Sequence, residues 1–241
     1  MSRTSSARNL AAALVQAGAY GQVHEQGAPP ATSPALTIAF SREVGARGTS
    51  VASEVGERLG WPVYDHSLLE RIAQEMNLRT QLLESIDERR QSWVLETIEG
   101  FSALPAVSEG AYVRHLVQTV LSLGAHGSCL IVGRGAPHIL PPATTLRVRL
   151  VASLDDRVRA IVQERGLSHR EAARHVEEVG RERTRFIQDH FQKDATDPEN
   201  YDLVLNASRF SVAHCAELVI EALHRLQARG LAEGSLTLRS Q

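Results

Sequence analysis

Ten residues at positions 41–50, Ser-Arg-Glu-Val-Gly-Ala-Arg-Gly-Thr-Ser, have the character of a turn that binds phosphate. They lie between a short apolar run and a segment with helical spacing, so several backbone N–H groups would point at one spot beside the positive end of a helix. The hydroxyl of Thr49 or Ser50 would suit a Mg²⁺ ion that bridges nucleotide phosphates. We therefore expect phosphate groups to be held by Ser41, Arg42, Gly45, Ala46, Arg47, Gly48, Thr49 and Ser50.

The same turn departs from the common phosphate-loop pattern G-x-x-x-x-G-K-[ST]. It contains no lysine, and Gly48 stands at the lysine position. Arg42 and Arg47 are the cations that the turn offers instead, and an arginine can bind phosphate through two N–H groups at once. Taken alone, the ten residues have an alternative interpretation as a plain turn from strand to helix.

A further candidate cation, Arg134, follows the apolar run Leu-Ile-Val and Gly133. It would therefore lie at the carboxyl end of a buried strand, which is where open α/β sheets bind their ligands. An arginine at that place with no anion would be left desolvated beside glycines.

Three more arginines, Arg181, Arg183 and Arg185, alternate within a stretch of helical pattern. Residues two apart on a helix point about 200° apart, so at most two of them can reach one site. A solvated, charged helix face is the alternative.

The spacing of apolar residues predicts the elements that would position these side chains. Strands are predicted at 36–40, 61–64, 129–132, 146–151 and 201–206, and helices at about 51–59, with interruptions over 68–127, and at 155–164, 168–191 and 212–226. Strand, turn, helix and strand within about thirty residues form a βαβ unit, whose right-handed crossover makes the strands parallel. The predicted fold class is α/β, with a three-layer parallel sheet.

The chain is long enough for one main domain, which we place at 35–226 with helices over the sheet at 77–127. Residues 1–34 are rich in helix breakers and predict a flexible tail and linker, and residues 227–241 predict a second tail.

Composition excludes several classes of function. With 26 basic and 28 acidic residues the net charge is −2, which does not favour binding to nucleic acid. No apolar run is long enough to span a membrane, and the ten histidines and two cysteines show no zinc-site spacing. Two distant cysteines in apolar or helical surroundings are typical of a reducing cytosol, so a cytoplasmic location is expected.

Four segments resemble the cytidylate-kinase-like family of P-loop proteins. Residues 36–73 are similar to its first unit, in which a Ser-Arg-Glu-x-Gly loop replaces the standard phosphate loop. Residues 130–135 resemble its strand that ends in Gly-Arg, and residues 179–186 resemble its arginine-rich lid. Residues 198–208 resemble its closing strand, whose Asn-x-Ser end lies near the base of the donor nucleotide.

This resemblance implies a sheet of the P-loop NTPase or nucleoside-monophosphate kinase type, with a helical insertion at 77–127 and a lid region at 165–197. It also implies roles for single residues. Asp65, Arg71 and Arg134 match positions that bind the acceptor, although Asp65 has an alternative as a helix N-cap and Arg71 as a solvated side chain. The lid arginines, Arg181, Arg183 and Arg185, would act on the transition state. Gly135 stands where family members carry an aspartate that helps to select cytosine.

The implied activity is ATP-dependent phosphoryl transfer to a nucleoside monophosphate, with CMP or dCMP as the expected acceptor and Mg²⁺ accompanying ATP. Two alternatives stay open. One is a nucleotide-binding regulatory protein with weak catalysis, which the missing lysine favours. The other is a kinase for another small metabolite.

Overall fold

The computed structural model describes residues 35–86, 88–100 and 108–237, apart from some side chains within the helices. The tail predicted at 1–34 lies outside the described residues. The strands are β1 (Thr37–Arg42), β2 (Val63–Tyr64), β3 (Leu130–Val132), β4 (Thr145–Val151) and β5 (Leu203–Asn206). The helices are α1 (Gly48–Leu59), α2 (His66–Gln74), α3 (Met76–Glu84), α4 (Glu88–Gly100), α5 (Ser108–His126), α6 (Ala136–Ile139), α7 (Leu154–Arg165), α8 (His169–Phe191) and α9 (Val212–Thr237).

The five strands form one parallel sheet in the order β2-β3-β1-β4-β5. The central strand β1 pairs with β3 on one side and with β4 on the other, with Phe40 opposite Val132 and Ser41 opposite Arg149. Because all strands run in the same direction, their carboxyl ends meet at one edge of the sheet. This arrangement confirms the predicted α/β fold.

Helices cover both faces of the sheet, which makes three layers. On one face Ala39 and Ile131 pack with residues of α2 to α5. On the other face Ile38 and Phe40 pack with residues of α1 and α9. Successive side chains of β1 therefore point alternately to the two layers of helices.

The strand boundaries agree with the sequence predictions to within two residues, whereas the first helix begins at Gly48, three residues before its predicted start. The capping box predicted at the start of α8 is present, since Ser168 and Glu171 bond each other's backbone N–H groups. The last helix, predicted to end near 226, continues to Thr237. The prediction that this helix ends near 226 is wrong, because the glycines at 230 and 234 do not end it. The domain limits stay predictions.

Among the described residues, none of the helices combines the length and the apolar character needed to cross a bilayer.

Candidate active site

A cavity of about 1260 Å³ opens at the carboxyl edge of the sheet, between the ends of β1, β3 and β4 and the long helix α8. Of the predicted site residues, it is lined by Ser41, Arg42, Arg134, Arg181, Arg183 and Arg185. The structure therefore brings together side chains from residues that are far apart in the chain. The position agrees with the rule that parallel sheets bind ligands at this edge.

The turn after β1 is anchored to the neighbouring helices. Oε2 of Glu43 accepts a hydrogen bond from the backbone N–H of Ala152 at 3.0 Å and lies 3.5 Å from Nε of Arg157. Val44 is buried in the small core between α7 and α8. Gly45 has a φ of 81°, and a Cβ there would lie 2.8 Å from the Cα of Arg157, so only glycine fits without strain. The turn is thus held in one conformation before any ligand binds.

Arg42 crosses this turn to reach the cavity. A Cβ built on Gly48 would lie 2.5 Å from the Cβ of Arg42 and 2.7 Å from its Cγ. A Cβ on Gly133 would collide with Nη1 of Arg42. The arginine side chain therefore passes between two glycines, and one of them is Gly48, the position of lysine in the common phosphate loop. Residue 48 therefore has no room for a side chain while Arg42 keeps its observed conformation.

Three half-buried guanidinium groups, those of Arg42, Arg134 and Arg183, meet in the cavity. The pKa of Arg42 is lowered to about 10, first by burial and then by the charges of Arg183 and Arg134, with Asp65 acting in the opposite direction. Burial also lowers the pKa of Arg183, followed by the charges of Arg134 and Arg165. Three positive charges that lie close together and are partly removed from water destabilise one another. An anion bound among them would relieve this repulsion.

The lid arginines differ in their surroundings. Nη1 of Arg183 donates to the carbonyl oxygen of Arg42 at 3.4 Å, which joins α8 to the turn. Arg181 is exposed and pairs with Glu177 at 3.2 Å, and Arg185 is exposed. All three arginines line the cavity, and Arg183 is the lid arginine that contacts the turn. The catalytic roles of the three stay predictions.

The aromatic part of α8 supports this cluster. The guanidinium group of Arg134 lies over the ring of Phe186, 5.8 Å from its centre, and Phe186 packs edge-on against Phe191. Phe191 also fills the space beside Gly135, where a Cβ would collide with its ring. Arg134 has a φ of 49°, between two glycines that also have positive φ, so the backbone after β3 holds a strained turn.

Asp65 caps a helix. Its Oδ1 accepts from the backbone N–H of Leu68 at 2.9 Å at the start of α2, which is the N-cap alternative, and its charge also acts on Arg42. A role in binding the acceptor stays a prediction. Arg71 lies in α2, but its side chain is outside the described part of the structure.

The remaining predicted phosphate-binding residues lie away from the large cavity. Gly45, Ala46 and Arg47 line a smaller cavity of about 230 Å³ together with Ser208 and Phe210. Gly48 packs beneath Arg42, while Thr49 and Ser50 are exposed in the first turn of α1. No side chain caps that helix start, so its first N–H groups can receive an oxyanion.

The exposed hydroxyls of Thr49 and Ser50 fit a magnesium ion that is bound mainly by nucleotide phosphates and water, because such an ion needs only one or two protein oxygens. Among the described residues, no group of three or more histidines, cysteines or acids is placed to hold a metal by itself.

Some lining residues were not predicted. Arg149 and His138 both line the large cavity, and Glu43 anchors the turn. The sequence signal for Arg149 is its polarity within an apolar strand, where Arg147 and Arg149 alternate with Leu146, Val148 and Leu150. That alternation places both arginines on one face, but the neighbouring strand is not identifiable from the sequence.

Comparisons with known proteins agree with this architecture. A sequence model described as the cytidylate kinase-like family matches residues 37–209. An uncharacterized protein from Eubacterium ventriosum has a similar structure, with a TM-score of 0.64 and 19% identity over 79% of this chain and 98% of that one. A shikimate kinase from Bacteroides thetaiotaomicron is more distant, with a TM-score of 0.44 and 14% identity over 78% of this chain and 98% of that one.

One curated sequence also matches part of the chain. A uronate isomerase from Corynebacterium glutamicum is 28% identical over 112 residues, which are 46% of this chain and 22% of that protein. The chain therefore spans about a fifth of the length of the curated relative that it matches.

Proposed function

The chain belongs to the cytidylate kinase-like family, and from that premise we propose that it transfers the γ-phosphoryl group of ATP to a nucleoside monophosphate. Membership supports phosphoryl transfer as the class of reaction. The observation that carries the finer proposal is the meeting of Arg42, Arg134 and Arg183 beside the turn after β1.

Such a site fits phosphoryl transfer because that reaction needs positioning and charge stabilisation more than covalent help from the protein. A nucleoside monophosphate loses its second proton near pH 6, so its phosphate oxygen is already a nucleophile at pH 7. That oxygen attacks the γ-phosphorus, the bond from the γ-phosphorus to the bridging oxygen breaks, and ADP leaves. No general base is required.

The two cavities suggest how the substrates lie. We place the donor base in the smaller cavity, next to Ser208, and the donor phosphates at the turn and the start of α1. The acceptor phosphate lies in the larger cavity against Arg134, with Arg71 as a predicted second ligand. Arg183, which already contacts the turn, would neutralise the charge of the transferring group. The hydroxyls of Thr49 and Ser50 would help to hold the magnesium ion that accompanies ATP, and that ion would neutralise part of the phosphate charge.

Arg42 supports catalysis over a purely regulatory role. The missing lysine is the main argument for weak catalysis, but the aliphatic part of Arg42 passes over the lysine position and its guanidinium group reaches the cavity beside Gly133. Arginine supplies a fixed charge and two parallel donors, which suit phosphate oxygens.

CMP and dCMP are the acceptors that we propose first. The base preference has to be measured, because position 135 carries no acid for cytosine and the ring of Phe191 lies against it. We also propose a cytoplasmic location, which the two buried free cysteines support.

The test is a coupled assay of ADP formation with CMP, dCMP, UMP, AMP and GMP as acceptors. We expect ADP formation that depends on the acceptor. In the Arg134→Met variant we expect kcat/KM for the acceptor to fall about 100-fold, while Arg225→Met, which removes an exposed arginine of α9, should have no effect. ATP binding without ADP formation for any acceptor would refute the proposal, and so would unchanged kinetics of Arg134→Met.

A further inference from the structure

Arg149 is a buried cation that the proposed reaction does not use. Its side chain is 8% exposed, and it lines the large cavity from β4. Ser41 is its register partner on β1, so both side chains lie on the same face of the sheet. That face is the one covered by α2 to α5, whereas Arg42 follows Ser41 and crosses towards Gly133 and β3.

The partners of Arg149 are neutral. Nη1 of Arg149 donates to Oγ of Ser41 at 3.1 Å and lies 3.4 Å from the hydroxyl of Tyr201. Its guanidinium carbon lies 5.5 Å from the centre of the Tyr201 ring. The hydroxyl proton of Tyr201 is directed to the carbonyl oxygen of Ala195 at 2.8 Å, so Tyr201 can accept from Arg149. These contacts orient the guanidinium group without neutralising it.

No carboxylate within the described part of the chain forms an ion pair with Arg149. The nearby acid Asp194 instead accepts hydrogen bonds from the N–H and the hydroxyl of Thr196, both at 2.7 Å. These bonds are the main reason for the lowered pKa of Asp194, and the charge of Arg149 contributes least. The other arginine of this face, Arg147, is already paired with Asp202 at 2.9 Å.

The surroundings of Arg149 are electropositive. His138 lines the same part of the cavity, with its ring 6.0 Å from that of Tyr201. The pKa of His138 is lowered to about 4, first by burial and then by the charges of Lys193, Arg147 and Arg149. Burying an arginine that forms no ion pair costs several kcal/mol, and buried charges are usually paired. An anionic ligand would supply the missing ion-pair partner.

We propose that Arg149 and Ser41 bind a second oxyanion of the acceptor, a carboxylate or a phosphate, on the side of β1 opposite to the Arg134 position. Strands β3 and β4 flank β1, so the two anions would be separated by on the order of 10 Å. That span suits a nucleotide whose base or sugar carries a further acidic group. This inference rests on the proposed function for the identity of the acceptor, but the oxyanion position is testable without turnover.

The binding test uses inorganic phosphate as the probe and the NMR titration of His138 as the reporter, with His138→Gln to assign its signal. An oxyanion beside Arg149 offsets the neighbouring cations, so phosphate should raise the pKa of His138 in the wild-type protein. Arg149→Met should abolish this response, and Arg134→Met should retain it. A response of wild-type size in Arg149→Met would overturn the proposal and leave Arg149 a structural residue. If Arg149→Met does not fold, Arg149→Lys should show a weaker response, and an unchanged one would overturn the proposal.

The kinetic test compares UMP with two doubly acidic relatives, UMP bearing a carboxylate on its base and uridine 3′,5′-bisphosphate. Arg149→Met should lower kcat/KM at least 10-fold for one of the two relatives and change that for UMP by less than threefold. Equal effects on all three acceptors would overturn the second-anion assignment. If no acceptor is phosphorylated, the proposed function fails, and the His138 titration still decides whether the oxyanion position exists.

Discussion

Replacing Arg42 by methionine removes one of the three clustered guanidinium groups and keeps an unbranched side chain between Gly48 and Gly133. We predict that this substitution has opposite effects on stability and on binding. The folded protein holds Arg42 with a pKa lowered from 12.5 to about 10, first by burial and then by Arg183 and Arg134. The unfolded chain has no such penalty.

The size of the effect follows from that difference. About 2.5 pKa units, at about 1.4 kcal/mol each, correspond to roughly 3 kcal/mol of destabilisation of the charged form. Solvent screening of a partly exposed group reduces this figure, so we expect a gain of about 1–3 kcal/mol in the free energy of unfolding. The folded pKa lies below the unfolded one, so the penalty is present at all pH values below about 10 and declines above that value.

The binding of phosphate should change in the other direction. A hydrogen bond from a charged group contributes about 1.5–3 kcal/mol, so the affinity of Arg42→Met for ATP should fall about 10- to 150-fold. Urea unfolding at pH 7 and calorimetric titration with ATP measure the two effects. Arg225→Met, which removes an exposed arginine paired with Glu221, serves as the control and should change neither. A variant that is less stable than the wild type and binds ATP equally well would refute the idea that Arg42 is held for an anion.

Three further substitutions test the turn and the cavity. Gly45→Val should weaken ATP binding at least 10-fold, measured by calorimetry, because the added side chain meets the backbone of Arg157; unaltered affinity would count against the turn. Gly48→Lys alone should reduce activity, whereas the double variant with Arg42→Ala should recover part of it, because lysine then takes the space that Arg42 leaves; equal activity of the two variants in the coupled assay would contradict this exclusion. His138 has a folded pKa of about 4, below its ordinary value of 6.5, so its contribution to stability is complete above pH 6.5 and is lost as the pH falls towards 4. In urea unfolding, the free energy of unfolding of His138→Gln should therefore depend less on pH in this range than that of the wild type. Parallel pH profiles for variant and wild type would show that folding does not shift the pKa of His138.

Much of the fold was predictable because apolar runs between breakers identify buried strands, and helical spacing identifies the covering helices. The run at 36–40 and the capping box at Ser168 are examples, and both have counterparts in the structure. The end of the last helix was not predictable, because the glycines at 230 and 234 resemble a stop signal, yet the helix continues past both.

The sequence identified single residues of the site, but it did not show which of them contact one another. The sequence identified Arg42 and Gly48 as an unusual turn, but it did not show that one side chain passes over the other residue. Arg149 was missed because its importance depends on the register that places it opposite Ser41, and strand order is not encoded in local periodicity. The distinction between Arg183 and its neighbours likewise depends on how α8 lies against the turn.

The most direct test of the central claim is a crystal structure of the protein with a non-hydrolysable ATP analogue and a nucleoside monophosphate. We predict that phosphoryl oxygens of the two ligands lie within hydrogen-bonding distance of the guanidinium groups of Arg42, Arg134 and Arg183. Ligand phosphates bound elsewhere, with these three arginines left in contact with water alone, would contradict it.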